Sequence, residues 1–168
     1  MPKIIEHLPE RLVEEARRQA AEGGYSAVTV RSVAAACGVG VGTVYNYFPS
    51  KDALLAAFLL ADWKACLQAV EEVKAAQQSP GPVLRAMYRQ LRQYLEAHAP
   101  VFRDESAARV FGGTMGRYHG MLREQLAAPL RSFCTDEFRA QFVAEALLTW
   151  TVEGREESEL LPLLEEIL

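Results

Sequence analysis

The chain has 168 residues, of which 50% are hydrophobic, 24% charged and 9% aromatic, and its formal net charge is −4. That apolar fraction excludes disorder as a whole-chain state and suits one compact core, or a small module fused to one medium domain. The longest apolar run, Ala53 to Ala61, is too short to cross a bilayer, and Met1-Pro2-Lys3-Ile4-Ile5-Glu6 lacks the apolar stretch of a signal peptide, so a cytoplasmic protein with no membrane partner is expected.

The pattern is helical almost throughout, with no sustained two-residue alternation and no Asn-Gly hairpin signal. Pro9 to about Glu22 predicts a first helix, with Leu12, Val13, Ala16 and Ala20 as its apolar stripe and Gly23-Gly24 as its stop. Thr29 is placed to cap a short helix, about Val30 to Cys37, that packs through Val30, Val33, Ala34 and Cys37. Gly38-Val39-Gly40 makes a tight break before a second short helix, about Val41 to Phe48. Pro49-Ser50 ends that helix, and Ser50 caps a long one from about Lys51 to Gln78. Its apolar pattern narrows from all sides to one face after Ala61, as expected of a helix passing from one packed module into another. Further helices are predicted near 82–98, 100–111, 115–127, 136–152 and 156–168, with breaks at Pro100, Gly112-Gly113, Pro129 and Gly154.

Charge is unevenly spread. From Gly24 to Lys51 there is no Asp or Glu, whereas Arg31 and Lys51 are basic; Glu153 to Leu168 carries six glutamates against Arg155 alone. An acidic protein with an acid-free window touches a polyanion with that part only. Cys37, Cys66 and Cys134 show no C-x-x-C spacing, and His7, His98 and His119 are equally scattered, so no disulfide framework, metal site or cofactor is expected.

Two short helices around a Gly-containing turn describe a helix-turn-helix, whose second helix enters the major groove. At 100° per residue, Val41, Val44, Tyr45 and Phe48 cluster on one side, while Gly42, Thr43, Asn46 and Tyr47 occupy the other. Thr43 and Tyr47 hydroxyls can donate to phosphate oxygens, and Gly42 lets a backbone approach closely. Asn46 suits a base edge, adenine above all, Arg31 suits guanine or phosphate, and Lys51 suits phosphate. Gly38-x-Gly40-x-Gly42 fails as a nucleotide loop: a helix precedes it, and no Gly-Lys-Ser/Thr follows.

Gly24-Tyr25, Thr29-Val30-Arg31-Ser32-Val33-Ala34, Gly38-Val39 and Gly42-Thr43-Val44-Tyr45-Asn46-Tyr47-Phe48-Pro49-Ser50-Lys51-Asp52-Ala53-Leu54 together resemble the DNA-binding domain of TetR-family transcriptional regulators, over about Arg11 to Leu60. The resemblance implies an all-α fold: an N-terminal three-helix helix-turn-helix DNA-binding domain, residues 1–50, followed by a C-terminal helical ligand-binding and dimerisation domain, residues 51–168. It implies a homodimeric repressor, not an enzyme, released from double-stranded operator DNA by a small hydrophobic effector. Carried over by position, Thr29, Arg31, Val41, Gly42, Thr43, Tyr45, Asn46, Tyr47 and Lys51 are its DNA contacts; Tyr45 thereby moves nearer DNA than its angle alone places it. Gly40 stands where the family commonly has Ser, and Gln19 and Ala20 where it often has Leu and Phe.

Beyond this module the residues are less legible. Trp63, Phe111, Tyr118, His119, Phe142 and Glu145 are the expected lining of an effector pocket. Phe138, Phe142, Ala146, Thr149 and Trp150, with Leu160 and Leu164, are the expected dimer interface, a four-helix bundle across a twofold axis. The competing reading is a helical small-molecule-binding protein or enzyme without DNA binding. It lacks convergent catalytic groups: there is no G-x-S-x-G, no H-E-x-x-H and no acidic metal cluster.

Overall fold

The structure is a computed structural model; it describes residues 6–111 and 115–168, without the side chains of residues 108, 110, 111 and 115–117. Among the described residues all regular structure is helical. In chain order the helices are α1 (Leu8–Ala27), α2 (Val30–Cys37), α3 (Val41–Tyr45), α4 (Lys51–Ala76), α5 (Pro80–Ala97), α6 (Ala99–Phe102), α7 (Glu105–Phe111), α8 (Met115–Leu130), α9 (Glu137–Val152) and α10 (Glu157–Ile167). Two compact units emerge. The first runs to Asp62 and takes in Ala97–Val110; the second is Trp63–Glu96 with Phe111–Leu168.

In the first unit, α1 buries Leu8, Leu12, Ala16 and Ala20, the four-residue spacing of one helix face. Val13, expected in that stripe, is only half-buried. Gly24 interrupts the helix with φ 72° and ψ −169°. A Cβ there would lie 2.6 Å from the Pro100 carbonyl oxygen, so glycine answers both the backbone conformation and the close approach of α6.

Thr29 caps α2 as expected: its Oγ1 accepts from the Ser32 amide at 2.9 Å, and Ser32 Oγ accepts from the Thr29 amide at 3.1 Å. Ser32 Oγ also donates to Gln19 Oε1 at 2.6 Å, which gives the polar Gln19 a role between α1 and α2. Gly38, at φ 71°, ends α2 in the left-handed conformation. Helix α3 is shorter than expected, and Asn46 and Tyr47 continue it only as turn. Ser50 Oγ accepts from the Ala53 amide at 3.1 Å and starts α4.

The expected helix 100–111 is two helices. Asp104 divides them, because its Oδ1 accepts from the Ser106 amide at 2.8 Å and so begins α7. Its Oδ2 accepts from the Ser26 amide, also at 2.8 Å, which ties α7 to the end of α1. Nearby, His98 is buried, with its Nε2 3.0 Å from Asp62 Oδ2; Arg17 pairs with the same carboxylate, and burial pushes the His98 imidazole pKa down.

The second unit packs α5, α8, α9, α10 and the latter part of α4 around Leu84, Met87, Leu130, Val143 and Leu147. Pro129 does not mark a break where one was expected, whereas the chain breaks between α4 and α5 at residues 77–79, within the Gln77–Pro82 segment that signals it. Pro129 lies inside the last turn of α8, and Pro80 opens α5, where a missing amide costs no helical hydrogen bond. By length and composition α4 is apolar enough to cross a membrane, with a mean hydropathy of 1.5 over its most apolar window. Yet Leu54, Leu55, Phe58, Trp63 and Val70 along it are buried in protein, the setting of a core helix.

The Ser26 amide first, then Ser106 and Ala107, hold the Asp104 carboxyl at about 2, against an ordinary 3.8. Its folded-state pKa is depressed, so the clamp stabilises the fold above the ordinary value and is lost as pH falls through the folded one. An Asp104→Ala variant is expected to melt earlier than the parental chain at neutral pH, with the two melting temperatures converging as the buffer is taken from pH 4 to pH 2. A gap that stays constant over that range contradicts the clamp.

Candidate nucleic-acid interface

Helix α3 has five residues and turns only Val44 fully into the core. Its other large side chains are left outside: Val41 is 37% exposed, Tyr45 53% and, just beyond the helix, Tyr47 49%. Arg31, Gly42 and Asn46 are exposed as well, and Thr43 is half-buried. The 100° sorting grouped Val41 and Tyr45 with Val44 and Phe48, the two expected core anchors. In the structure Val44 is buried and Phe48 half-buried, because one helical turn has too narrow a core side to cover the rest.

An open groove of about 450 Å³ brings several of these residues together. Thr29 and Arg31 of α2 line it, with Val41 and Tyr45 of α3 and Ser50 and Lys51 at the start of α4. Gly42, Thr43, Asn46 and Tyr47 lie outside this lining. The wall therefore combines two cations, hydroxyl groups and apolar surface without a carboxylate. Of the nearest acids, Asp52 accepts from the Tyr25 hydroxyl at 2.7 Å, and Asp104 is held by the Ser26 amide. On α1, Glu14 pairs with Arg17, and Glu15 and Glu22 pair with Arg18. Such a surface offers phosphate partners from Lys51, Arg31 and hydroxyls, and base-edge partners from Asn46 and Arg31.

Sequence reasoning gave Tyr25 no part beyond its place in the motif. In the structure, Lys51 Nζ sits 3.7 Å from the centroid of the Tyr25 ring. Burial pushes the Lys51 ammonium pKa down, while the Asp104 and Asp52 carboxylates push it back up. Burial and the Asp52 hydrogen bond raise the Tyr25 hydroxyl to about 12. The aromatic residue two positions after Gly23 was the available signal, but its partner Lys51 is far along the chain.

The expected effector-pocket residues are only partly gathered. His119 Nε2 lies 2.7 Å from Glu145 Oε1, and Thr149 Oγ1 donates to the same oxygen at 3.0 Å. Arg123 Nη1 reaches Glu145 Oε2 at 3.4 Å. Burial disfavours the charged Glu145, but the His119 and Thr149 hydrogen bonds outweigh it and hold the carboxyl below its ordinary range. Tyr118 and Phe142 are exposed. Trp63 instead belongs to the core: it is buried, donates to Gln125 Oε1 at 2.7 Å and meets Tyr94 edge-on. The Phe111 side chain lies outside the described residues. Among the described residues no group of three or more His, Cys, Asp or Glu is arranged to hold a metal.

Along α9, Phe138 is 74% exposed, Phe142 and Trp150 are exposed, and Ala146 and Thr149 are half-buried. Leu160 and Leu164, expected in the same interface, are buried in the second unit's own core. Leu163 and Val152 are the exposed apolar residues of that region.

A family model of bacterial regulatory proteins, the tetR family, matches residues 12–58. The HTH-type transcriptional repressor KstR of Mycolicibacterium smegmatis is 36% identical over 107 residues, covering 58% of this chain and 52% of that relative. The chain thus spans about half the length of the curated relatives it matches. A solved transcriptional regulator from Cytophaga hutchinsonii superposes with a TM-score of 0.70 at 17% identity, covering 96% of this chain and 93% of that one. FadR from Bacillus subtilis, solved in complex with stearoyl-CoA, gives 0.58 at 18% identity, covering 95% and 98%. These two structures share the fold.

A Cβ built on Gly42 meets nothing within 4 Å, so packing does not require glycine there. Gly42→Ala is expected to leave the melting temperature unchanged or raise it, alanine being better in a helix by about 0.8–1 kcal/mol. It is also expected to weaken duplex DNA binding roughly tenfold, the loss of about one good contact. A variant that binds DNA like the parental chain contradicts a close approach at Gly42.

Proposed function

The chain belongs to the TetR family of bacterial regulatory proteins, and on that premise we propose that it is a sequence-specific DNA-binding transcriptional regulator, a homodimeric cytoplasmic repressor. Residues 1–50 read the operator, and residues 51–168 carry dimerisation and effector binding. The observation that carries this reading is the carboxylate-free groove around α3, in which Arg31 and Tyr45 stand exposed and Lys51 is half-buried.

Lys51 and the hydroxyl groups of Thr29, Thr43 and Tyr47 hold phosphates and so set the position of the protein on the duplex. Arg31, Asn46 and Tyr45 supply direct base contacts, and Val41 meets a thymine methyl group. Two copies related by a twofold axis place their recognition helices about 34–36 Å apart, or a multiple of that, and read a pseudo-palindrome. The exposed aromatic face of α9 supports pairing with a second copy through Phe138, Phe142 and Trp150. Release follows when a small hydrophobic effector binds more tightly to the dimer that does not fit DNA; its leverage equals that difference in affinity. The stearoyl-CoA held by the FadR neighbour supports an effector of this kind.

Duplex fragments selected from genomic DNA provide the test. Affinity is expected to fall steeply with KCl, and Lys51→Ala is expected to flatten the log–log salt slope by about 0.9, the share of one phosphate. Salt-insensitive or absent binding would favour a helical small-molecule binder instead. For the dimer, Phe142→Glu is expected to shift the sedimenting species from dimer to monomer while the helical content stays unchanged. A variant that remains dimeric excludes this face.

A further inference from the structure

Lys51 is the cation of the groove nearest to the first unit's interior, and it is restrained before any DNA arrives. Its ammonium rests 3.7 Å from the centroid of the Tyr25 ring. That ring is fixed twice. Its hydroxyl donates to Asp52 Oδ1 at 2.7 Å, in the first turn of the helix that Lys51 begins. Its backbone neighbour Ser26 donates to Asp104 Oδ2 at 2.8 Å, and Gly24 on the other side is pressed against the Pro100 carbonyl. The carboxylates facing Lys51 are thus Asp52 and Asp104, and both have hydrogen-bond donors of their own.

We infer that Tyr25 is a positioning residue for DNA binding: its ring, held by Asp52 and by the Asp104–Ser26 clamp, fixes the Lys51 ammonium at the groove wall in readiness for a phosphate. This rests on the DNA-binding reading above and deepens it. A lysine has four rotatable side-chain bonds, and immobilising them on a phosphate costs conformational entropy. A ring that already holds the ammonium removes most of that cost, so association gains what pre-organisation saves. One face of the ammonium lies on the Tyr25 ring, and the Lys51 side chain lines the groove. Tyr25 touches no DNA in this arrangement; it acts through Lys51.

The test is a double-mutant cycle on the full chain, with a random-sequence DNA duplex as probe over a series of KCl concentrations. Tyr25→Leu is expected to weaken binding roughly three- to tenfold in the parental background, the effect of one side chain no longer pre-ordered. In the Lys51→Ala background the same change is expected to do nothing. Tyr25→Phe, which keeps the ring but gives up the hydroxyl bond to Asp52, is expected to lose clearly less than Tyr25→Leu. An equal loss from Tyr25→Leu in both backgrounds, or equal losses from Leu and Phe, overturns the inference by making Tyr25 merely structural. Because Tyr25 is buried and its leucine variant can fail to fold, the parental chain supplies a second reading. The Lys51 Hε protons are expected upfield of their free value through the ring current, and unshifted protons overturn the stack. Absence of salt-sensitive duplex binding by the parental chain overturns the DNA-binding reading itself, whatever the protons show.

Discussion

A helix of one turn can bury one side chain, and the candidate interface depends on that constraint. In α3 the buried residue is Val44. Most of its neighbours stand outward as a consequence: Val41, Gly42 and Tyr45 within the helix, Asn46 and Tyr47 in the turn that follows, with Thr43 half-buried. Exposed aromatic and aliphatic groups at such density are unfavourable in water and mark a surface that meets a partner. The elements before and after α3 are set by stronger local signals. Thr29 and Ser32 close a reciprocal cap on α2, Gly38 ends it with a left-handed residue, and Ser50 starts α4. Fixed ends on both sides leave the short helix no freedom to turn its outer face inward.

Electrostatics gives that surface its sign. The protein as a whole is acidic, with a net charge of −4, yet the face around α3 carries no carboxylate between residues 24 and 51. The acids that could spoil it are engaged: Glu15 and Glu22 by Arg18, Asp62 by Arg17, Asp52 by the Tyr25 hydroxyl and Asp104 by backbone amides. Long-range repulsion between an acidic protein and DNA is screened within about 8 Å at physiological ionic strength. Local contacts then decide the outcome, and here they are cations, hydroxyls and amide groups.

Legibility in the sequence followed the range of the interactions. Helix α2 was readable to the residue because its cap, stop and apolar positions all lie within ten residues of one another. The set proposed to face DNA stood out for the same reason, as a run of near-adjacent residues with a family resemblance, and Val41, Gly42, Tyr45, Asn46 and Tyr47 of it are exposed. What failed depended on distant partners. Asp104 divides the 100–111 segment by capping α7 at the Ser106 amide, and its other oxygen is held by Ser26, far back in the chain. Leu160 and Leu164 went to a core rather than to an interface because α9 and α10 pack together in the second unit. Trp63 was taken for pocket lining, and its indole is instead satisfied by Gln125. The Tyr25–Lys51 stack crosses three helix boundaries and left no periodic trace.

The central claim is that residues 29 to 51 form the surface that meets duplex DNA. Backbone amide NMR spectra recorded while a selected DNA duplex is added test it most directly. The account predicts the largest shifts at Thr29, Arg31, Gly42, Thr43, Asn46, Tyr47 and Lys51, with α5 and α10 little affected. Perturbations concentrated in α5 or α10, with the 29–51 amides unmoved, would contradict it.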